Sequence, residues 1–489
     1  MQKISFLFIM ALLPLSIQAK IVEIDGIWYD YIGGYSTITV TSDPSLSSGG
    51  GYSGDIVIPE TVICNNKKCR VTRIADYAFY SCSNITSISL PSSITGIGDC
   101  AFQYCRKMKS VSLPSGINDI GNNAFSCCEE LKSITIPEKL KTIGYSVFNS
   151  CYSLESVTIP KNILSIGAYA FASCKGLKSI TLSENLLFIG DQAFTGCSGL
   201  TTIAIPSSVK RIDPDAFNYC TGLTSVHIKD LEAWLNIDIR GCGGNPLNCA
   251  HHLFLNGKEI TDLTIPSTIS KIGFVAFYNC TGITSVTIPS SVKEIDGYAF
   301  KGSGLNTITF LEGGQTSIHG GAFSNCADLK DVYCKDEKSP DGWTNVFTDT
   351  PIGQITLHVP ENSIENYRTN ILWNNVKEVI ALPKCATPEI TYANGKIIFS
   401  CDTPGVEFVS EVTMGDAKNY EKEISISQTC TVRVYATKEG LEPSDVAMRD
   451  IIIADPRQTI VVGDVDGNGI VNVGDHVELT NIIMNKNKK

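Results

Sequence analysis

The chain has 489 residues, with 39 Lys and Arg against 50 Asp and Glu, a formal charge of −11 and a pI near 5.2. Its densest basic runs, Lys67-Lys68-Cys69-Arg70 and Lys486-Asn487-Lys488-Lys489, are short. That excludes the clustered cationic surface on which nucleic-acid binding depends, so nucleic acid is not an expected partner. The length allows about three domains of ordinary size.

Residues 1–19 have the pattern of a secretory signal peptide. Lys3 supplies the positive start, residues 4–15 the apolar core, and Ser16-Ile17-Gln18-Ala19 a small-residue cleavage site. The apolar run is too short to span a bilayer comfortably and no second one follows, so no transmembrane segment is expected after cleavage. No Cys lies just after the apolar core, which argues against a lipid anchor. The mature chain is expected to begin near Lys20 and to work outside the cytoplasm, secreted or at a bacterial cell surface.

Residues 20–60 alternate apolar and polar side chains, as in Ile21-Val22-Glu23-Ile24, around a Gly/Ser-rich loop at 42–53. From there a repeat takes over. Phe79, Phe102, Phe125, Phe148, Phe171, Phe194 and Phe217 are spaced by 23 residues, and Phe277, Phe300 and Phe323 resume the spacing after one longer unit. Each is followed three residues later by Cys, except Phe300, where Ser303 stands. In Leu154-x-x-Val157-x-Ile159 the last two apolar residues lie two apart and face one side of a short strand. Pro160 ends that strand, having no N–H for the ladder. Ile163-x-x-Ile166-Gly167 turns the chain back, and Ala170-Phe171 is expected on a short helical or 3₁₀ turn. One such coil cannot bury its own apolar face, so neighbours must stack. The spacing predicts a β-rich solenoid of leucine-rich-repeat type over residues 61–334, with parallel short strands and a first coil capped by residues 20–60.

The unit Leu-x-Ser-Ile-x-Ile-Pro-x-x-Val-x-x-Ile-Gly-x-x-Ala-Phe-x-x-Cys resembles the BspA-like branch of the leucine-rich repeats, found on surfaces of host-associated bacteria. The resemblance runs from about residue 70 to about residue 334. It implies adhesion or matrix recognition, with an extracellular protein or glycan as partner. The Asn ladder common in other leucine-rich repeats is absent, and a Cys ladder stands in its place.

That ladder comprises Cys82, Cys105, Cys128, Cys151, Cys174, Cys197, Cys220, Cys280 and Cys326. Stacked coils hold equivalent Cβ atoms roughly 4.8 Å apart, beyond the ~3.8 Å that a disulfide prefers. The thiols are therefore expected free and buried, packing as small apolar groups. A metal ladder is the sharper alternative, disfavoured because tetrahedral ligands converge rather than stand in file. Cys64 with Cys69, and Cys242 with Cys249, are short-loop pairs for which disulfide and free thiol both stay open.

Two surfaces are candidates for recognition. On the strands, small hydroxyl residues point outward: Ser87 and Ser89, Ser110 and Ser112, Ser133 and Thr135, Ser156 and Thr158, Ser179 and Thr181. They suit a curved parallel sheet and would equally line a polar groove. Aromatics gather beside the Ala-Phe pair instead: Tyr77, Tyr80, Tyr104, Tyr169, Tyr219, Tyr278 and Tyr298. On stacked coils these form an edge patch, and such side chains anchor sugars and peptides.

Residues 229–262 break the period and resemble the extended repeat of many BspA-like arrays. Asn256-Gly257 within them signals a two-residue hairpin. His251 and His252 with Cys242 and Cys249 suggest a structural loop more than a zinc site, since adjacent histidines seldom face one ion. Residues 335–383, with Trp343, Phe347, Tyr367 and Trp373, resemble the family's closing cap of a final strand and helix. Residues 384–455 change composition. Asn394-Gly395 marks a hairpin, and strand-like runs near 396–399, 407–409, 423–426 and 431–435 predict a small β-sandwich-like domain.

The last segment, 456–489, holds Asp464-x-Asp466-x-Asn468-Gly469-Ile470-x-Asn472-x-x-Asp475. Oxygen donors every second residue, a Gly at the sharp turn and a carbonyl from Ile470 are the spacing of a calcium loop, so Ca2+ is the one expected cofactor. The loop and the amphipathic stretch after it resemble half of a dockerin, which implies a cohesin-like partner. Dockerins carry two such units and the sequence shows one, with Val473-Gly474 where cohesin-contacting hydroxyls are common.

No nucleophile elbow, zinc-protease helix or phosphate loop is present, and the six histidines pair with no catalytic motif. The chain is expected to be a non-enzymatic binding or adhesion protein that uses its repeat face. The alternative is a non-catalytic member of an extracellular polysaccharide-degrading assembly, attached through its calcium segment.

Overall fold

The computed structural model describes residues 19–451 except 33–34, 47–49, 394–395, 414–422, 426–429, 439–440 and 442. The chain divides into one unit of residues 1–357 and 365–379 and a second of residues 358–364 and 380–489.

The first unit opens on an antiparallel meander, Ala19–Ile24, Ile27–Ile32 and Thr37–Thr41, whose last strand runs parallel to Lys67–Ile74. Ser53–Val57 lies parallel to Asn84–Ser89, so this region supplies a preceding partner to both strand positions of the first coils. After that, each regular coil contributes two very short strands to two parallel ladders. Ser133–Thr135 pairs with Ser156–Thr158, and Thr142–Ile143, Ser165–Ile166, Phe188–Ile189 and Arg211–Ile212 follow one another in register. Paired residues are 23 apart, so register is set by the repeat itself. In Ser110–Ser112, Ser133–Thr135 and Ser156–Thr158 of the first ladder the middle residue is buried and its two neighbours are exposed. That is the alternation a strand imposes on its side chains.

The Phe-bearing segment is not the helical or 3₁₀ turn expected from its sequence; it is a run of turns of alternating handedness. Tyr169 and Ser173, two residues before and after Phe171, both sit at φ 58°. The same two positions are left-handed in every regular coil, for example Asn123 and Cys127 or Tyr298 and Gly302. Alternation turns every second N–H along the stack. Tyr169, Phe171 and Ser173 donate to the carbonyls of Asp191, Ala193 and Thr195 on the next coil, at 2.9, 2.8 and 2.7 Å. A helix would spend those donors internally. Here they bind coil to coil.

Between the ladders runs a file of phenylalanines. Phe79 to Phe217 stack with centroids 5.2–5.7 Å apart, and Phe277, Phe300 and Phe323 at 5.1 and 5.2 Å, with interplanar angles of 18° or less. All are fully buried. Offset stacking of this kind adds to the burial of each ring.

The longer unit keeps the ladder while changing the side chains. Phe217 donates its N–H to the Gly243 carbonyl, as Phe194 does to Ala216. Trp234 and Asn245, both buried, donate side-chain N–H groups to the Ala276 carbonyl of the following coil. Leu253–Leu255 and Lys258–Glu259 form the expected hairpin, with Asn256 and Gly257 at φ 51° and 83°.

The repeat runs one coil further than residue 334. Asp341–Gly342 continues the second ladder beside Ser317–Ile318, and Phe347 stacks on Phe323 at 5.8 Å. That coil lacks the Pro and Cys markers, so only its geometry reveals it. The cap proper is the helix Ile364–Arg368 and the turn after it. Buried Trp373 closes the ring file on Phe347 at 5.3 Å, and the Tyr367 hydroxyl donates to the carbonyls of Asp336 and Lys338.

The second unit contains two antiparallel three-stranded sheets. One is Glu389–Ala393, Lys396–Ser400 and Glu423–Ser425; the other is Glu407–Thr413, Cys430–Thr437 and Ala447–Ile451. Ile390, Ile397 and Phe399 of the first form one buried cluster with Cys430, Val432, Val434 and Ile451 of the second.

Candidate functional site

The tyrosines singled out by sequence occupy three positions around the buried Phe: two before it (Tyr77, Tyr169, Tyr298), one after (Tyr80, Tyr278) and two after (Tyr104, Tyr219). The structure resolves them into separate groups rather than one stripe. Tyr80 meets Tyr77 at 5.6 Å and Tyr104 at 5.7 Å, both edge to face, and the Arg106 guanidinium lies 5.5 Å from the Tyr104 ring. Tyr169 pairs with Tyr145 at 5.7 Å and accepts a hydrogen bond from Gln192. Tyr298 pairs with Phe274 at 6.0 Å, with Lys301 over its ring. Tyr219 is 70% exposed.

Tyr145 and Phe274 were missed from sequence. Each precedes its partner by 24 residues, one more than the repeat, so the ring one coil earlier and one place earlier meets the next tyrosine. Tyr77, Tyr104, Tyr169, Tyr219 and Tyr298 share a left-handed backbone. That conformation is costly for a bulky side chain, and the coil-to-coil hydrogen bonds impose it. These aromatics are thus held by the coil-to-coil bonds, with Tyr77 and Tyr219 half or more in solvent.

The nine ladder cysteines are buried free thiols in the structure, and they do more than fill space. Cys105, Cys128, Cys151, Cys174, Cys197, Cys220 and Cys326 each donate Sγ–H to the carbonyl of the Phe in the preceding coil, at 3.1–3.3 Å. In the longer unit Cys249 takes that role toward Phe217 at 3.6 Å. Burial pushes the thiols up, Cys197 and Cys280 to about 12 and Cys326 to about 11. They are poor nucleophiles and poor metal ligands in the folded state. Cys64, Cys69, Cys242 and Cys249 are free thiols as well.

The strand hydroxyls face solvent at Ser110, Ser112, Ser133, Thr135, Ser156 and Thr158. At the start of that face Asp55 accepts from Ser87 and Thr86 at 2.6 and 2.7 Å, and these bonds hold its carboxyl below the usual range. A short Asx ladder also exists where none was expected. Asp76, Asp99 and Asn122 each accept the backbone N–H lying 23 residues later, at 2.7–3.0 Å, and the file ends at Tyr145.

His251 and His252 do not converge with the cysteines. His251 contacts the Asn279 carbonyl at 2.9 Å and His252 contacts Glu259 at 2.6 Å. A different histidine joins two carboxylates: Glu294, Asp296 and His319 lie together on adjacent coils, with Lys271 beside them. Residues 1–18 of the expected signal peptide 1–19, and Asp464, Asp466, Asn468, Ile470, Asn472 and Asp475 of the expected calcium loop, lie outside the described residues. Among the described residues no helix is long and apolar enough to cross a membrane.

A family model described as BspA type leucine rich repeat region matches residues 72–166, 141–233 and 249–375, more than half of the chain. Among solved structures, a leucine-rich repeat protein from Bacteroides ovatus ATCC 8483 is 22% identical over 74% of this chain and 99% of its own, with a TM-score of 0.46. A leucine rich cell surface protein from Faecalibacterium prausnitzii A2-165 is 24% identical over 68% and 99%, at 0.36. The pneumococcal vaccine antigen PcpA is 16% identical over 74% and 98%, at 0.33. No curated protein matches the chain.

Proposed function

We propose, since this chain belongs to the BspA type leucine-rich repeat family, that it is a secreted or surface-displayed, non-enzymatic binding protein whose coil edge holds an extracellular protein or glycan. One observation carries the reading: the edge-to-face aromatic group of exposed Tyr77 and half-buried Tyr80 and Tyr104 stands on backbone that the coil-to-coil bonds hold. Amphipathic rings with little conformational freedom to lose are the side chains that dominate recognition surfaces. Arg106 beside them adds a planar donor to the same patch. The extracytoplasmic setting rests on the leader pattern of residues 1–19.

A second reading is favoured by the spacing of Asp464, Asp466, Asn468, Ile470, Asn472 and Asp475, which suits a Ca2+ ion. In that reading residues 456–489 attach the chain to a polysaccharide-degrading assembly, with a cohesin-like partner, and the repeats act as a non-catalytic arm. The two are separated by a pull-down of residues 20–489 against matrix proteins and glycans, with calcium or with chelator, beside a chain ending at Asp455. Capture that survives chelator and truncation assigns binding to the first reading. Capture lost under either assigns it to the second.

A further inference from the structure

The fourth residue before each buried Phe is Gly in five successive coils: Gly98, Gly121, Gly144, Gly167 and Gly190. The packing explains the preference. A Cβ on Gly167 would stand 2.8 Å from the Gly144 backbone, and one on Gly190 2.7 Å from the Ala168 nitrogen. In the later coils three consecutive positions abandon it, for Asp296, His319 and Trp343. Asp296 meets Lys271 and His319 meets Glu294, two residues paired in register two places upstream on the same face, while Trp343 meets His319.

The cluster is compact. Asp296 Oδ1 lies 3.1 Å from His319 Nδ1, and Glu294 Oε1 lies 3.3 Å from His319 Nε2. The Trp343 ring stacks on the imidazole, centroids 5.9 Å apart. The ligand atoms of Glu294, Asp296 and His319 all fall within 4.8 Å of one another. A neutral imidazole has one donor, so with Nδ1–H directed to Asp296 its Nε2 lone pair faces a carboxylate oxygen. A proton or a metal ion between those two atoms satisfies both. The carboxylates already converge on one: Lys271 Nζ sits 3.1 Å from Asp296 Oδ2 and 3.2 Å from Glu294 Oε1. An ion cluster at the same level of the earlier array, Arg211, Asp213, Asp238 and Arg240, is built with guanidiniums and lacks an imidazole.

We propose that Glu294, Asp296 and His319 form a site for a divalent transition-metal ion of the zinc type. The ion takes His319 Nε2 and Glu294 Oε1, with water completing its shell, displaces the Lys271 ammonium into solvent and leaves Asp296 on the other ring nitrogen. Nitrogen with carboxylate oxygen is a donor set that suits zinc and its neighbours over calcium. A carboxylate on the other ring nitrogen is the usual orienting partner of a ligating histidine. The proposal does not rest on what the coil edge binds.

The test uses residues 20–489 with Co2+ as spectroscopic probe and Zn2+ as competitor, in excess Ca2+ to fill any hard-oxygen loop. The expected result is one equivalent of Co2+ with visible ligand-field bands and no thiolate charge-transfer band. His319→Gln weakens that equivalent at least ~10-fold, while Lys271→Gln, which leaves Glu294, Asp296 and His319 in place, tightens it. Circular dichroism checks that both variants keep the fold. Co2+ binding of unchanged strength in His319→Gln, or a thiolate band in the wild type, overturns the proposal.

Discussion

The array falls into two runs, residues 79–217 and 277–347, separated by the longer unit. Their interiors match: the same ring file at similar spacing, the same left-handed positions flanking each Phe up to Phe323, and the same backbone bonds from coil to coil. Their surfaces diverge. The first run keeps Gly before the Phe turn from Phe102 to Phe194, carries an Asx ladder and clusters Tyr77, Tyr80 and Tyr104. The second replaces Gly with Asp296, His319 and Trp343 in three successive coils, builds there an ion cluster that includes an imidazole, and substitutes Ser303 for one thiol. A stacked architecture constrains only what lies between coils, so the outer positions vary freely and specialisation collects there.

If the interiors are equivalent, removing a ring from either run costs alike. Phe171→Ala and Phe300→Ala should each destabilise by about 3–5 kcal/mol in urea unfolding. A large difference between them would break the comparison. Alkali comes next. A thiol whose folded pKa lies above its unfolded value contributes fully below the unfolded value, 9.0, and loses that contribution as pH climbs toward the folded one. For Cys326, at about 11, the loss is on the order of 3 kcal/mol. Stability should therefore hold to about pH 9 and fall above it. Protease mapping at pH 10 should cut the thiol-rich first run before the second, and the reverse order would contradict the thiol account.

Smaller effects come from exchanging the runs' one ladder difference. Cys174→Ser should cost about 1–2 kcal/mol, because a hydroxyl is harder to desolvate where the Phe148 carbonyl is the acceptor at hand. Ser303→Cys should be neutral or stabilising, since its buried hydroxyl contacts only the Cys326 sulfur, at 3.5 Å. The least effect on stability should come from the edge: Tyr77→Ala, Tyr80→Ala and Tyr104→Ala, measured singly, should each shift unfolding by about 0.5 kcal/mol or less.

Much of this was legible in the residues because a period leaves its mark wherever a side chain is buried between coils. Phe171, Cys174, Val157 and Ile166 announce their positions by recurring. The left-handed positions could not be read the same way. Tyr, Cys, Asn, Ser, Gln, Asp, Gly and Val all occupy them, since backbone hydrogen bonds rather than side-chain type impose the conformation. The coil around Phe347 was hidden for a related reason: it keeps the ring and loses the Pro and Cys that made the others visible. Contacts one coil and one residue apart, such as Tyr145 with Tyr169, fall between columns of any alignment of the repeat. The ion cluster was invisible for a simpler reason. Lys271, Glu294 and His319 belong to three different coils and look like scattered surface charge until those coils stack.

The most direct test of the coil edge as the binding surface is an affinity comparison. Residues 20–489 and a Tyr77→Ala/Tyr80→Ala/Tyr104→Ala variant would be measured against one matrix protein or glycan captured by the wild type, in chelator. The expected result is a loss of at least ~10-fold in affinity with the unfolding transition unmoved. Equal affinity for the two chains would contradict it and move recognition off the aromatic edge.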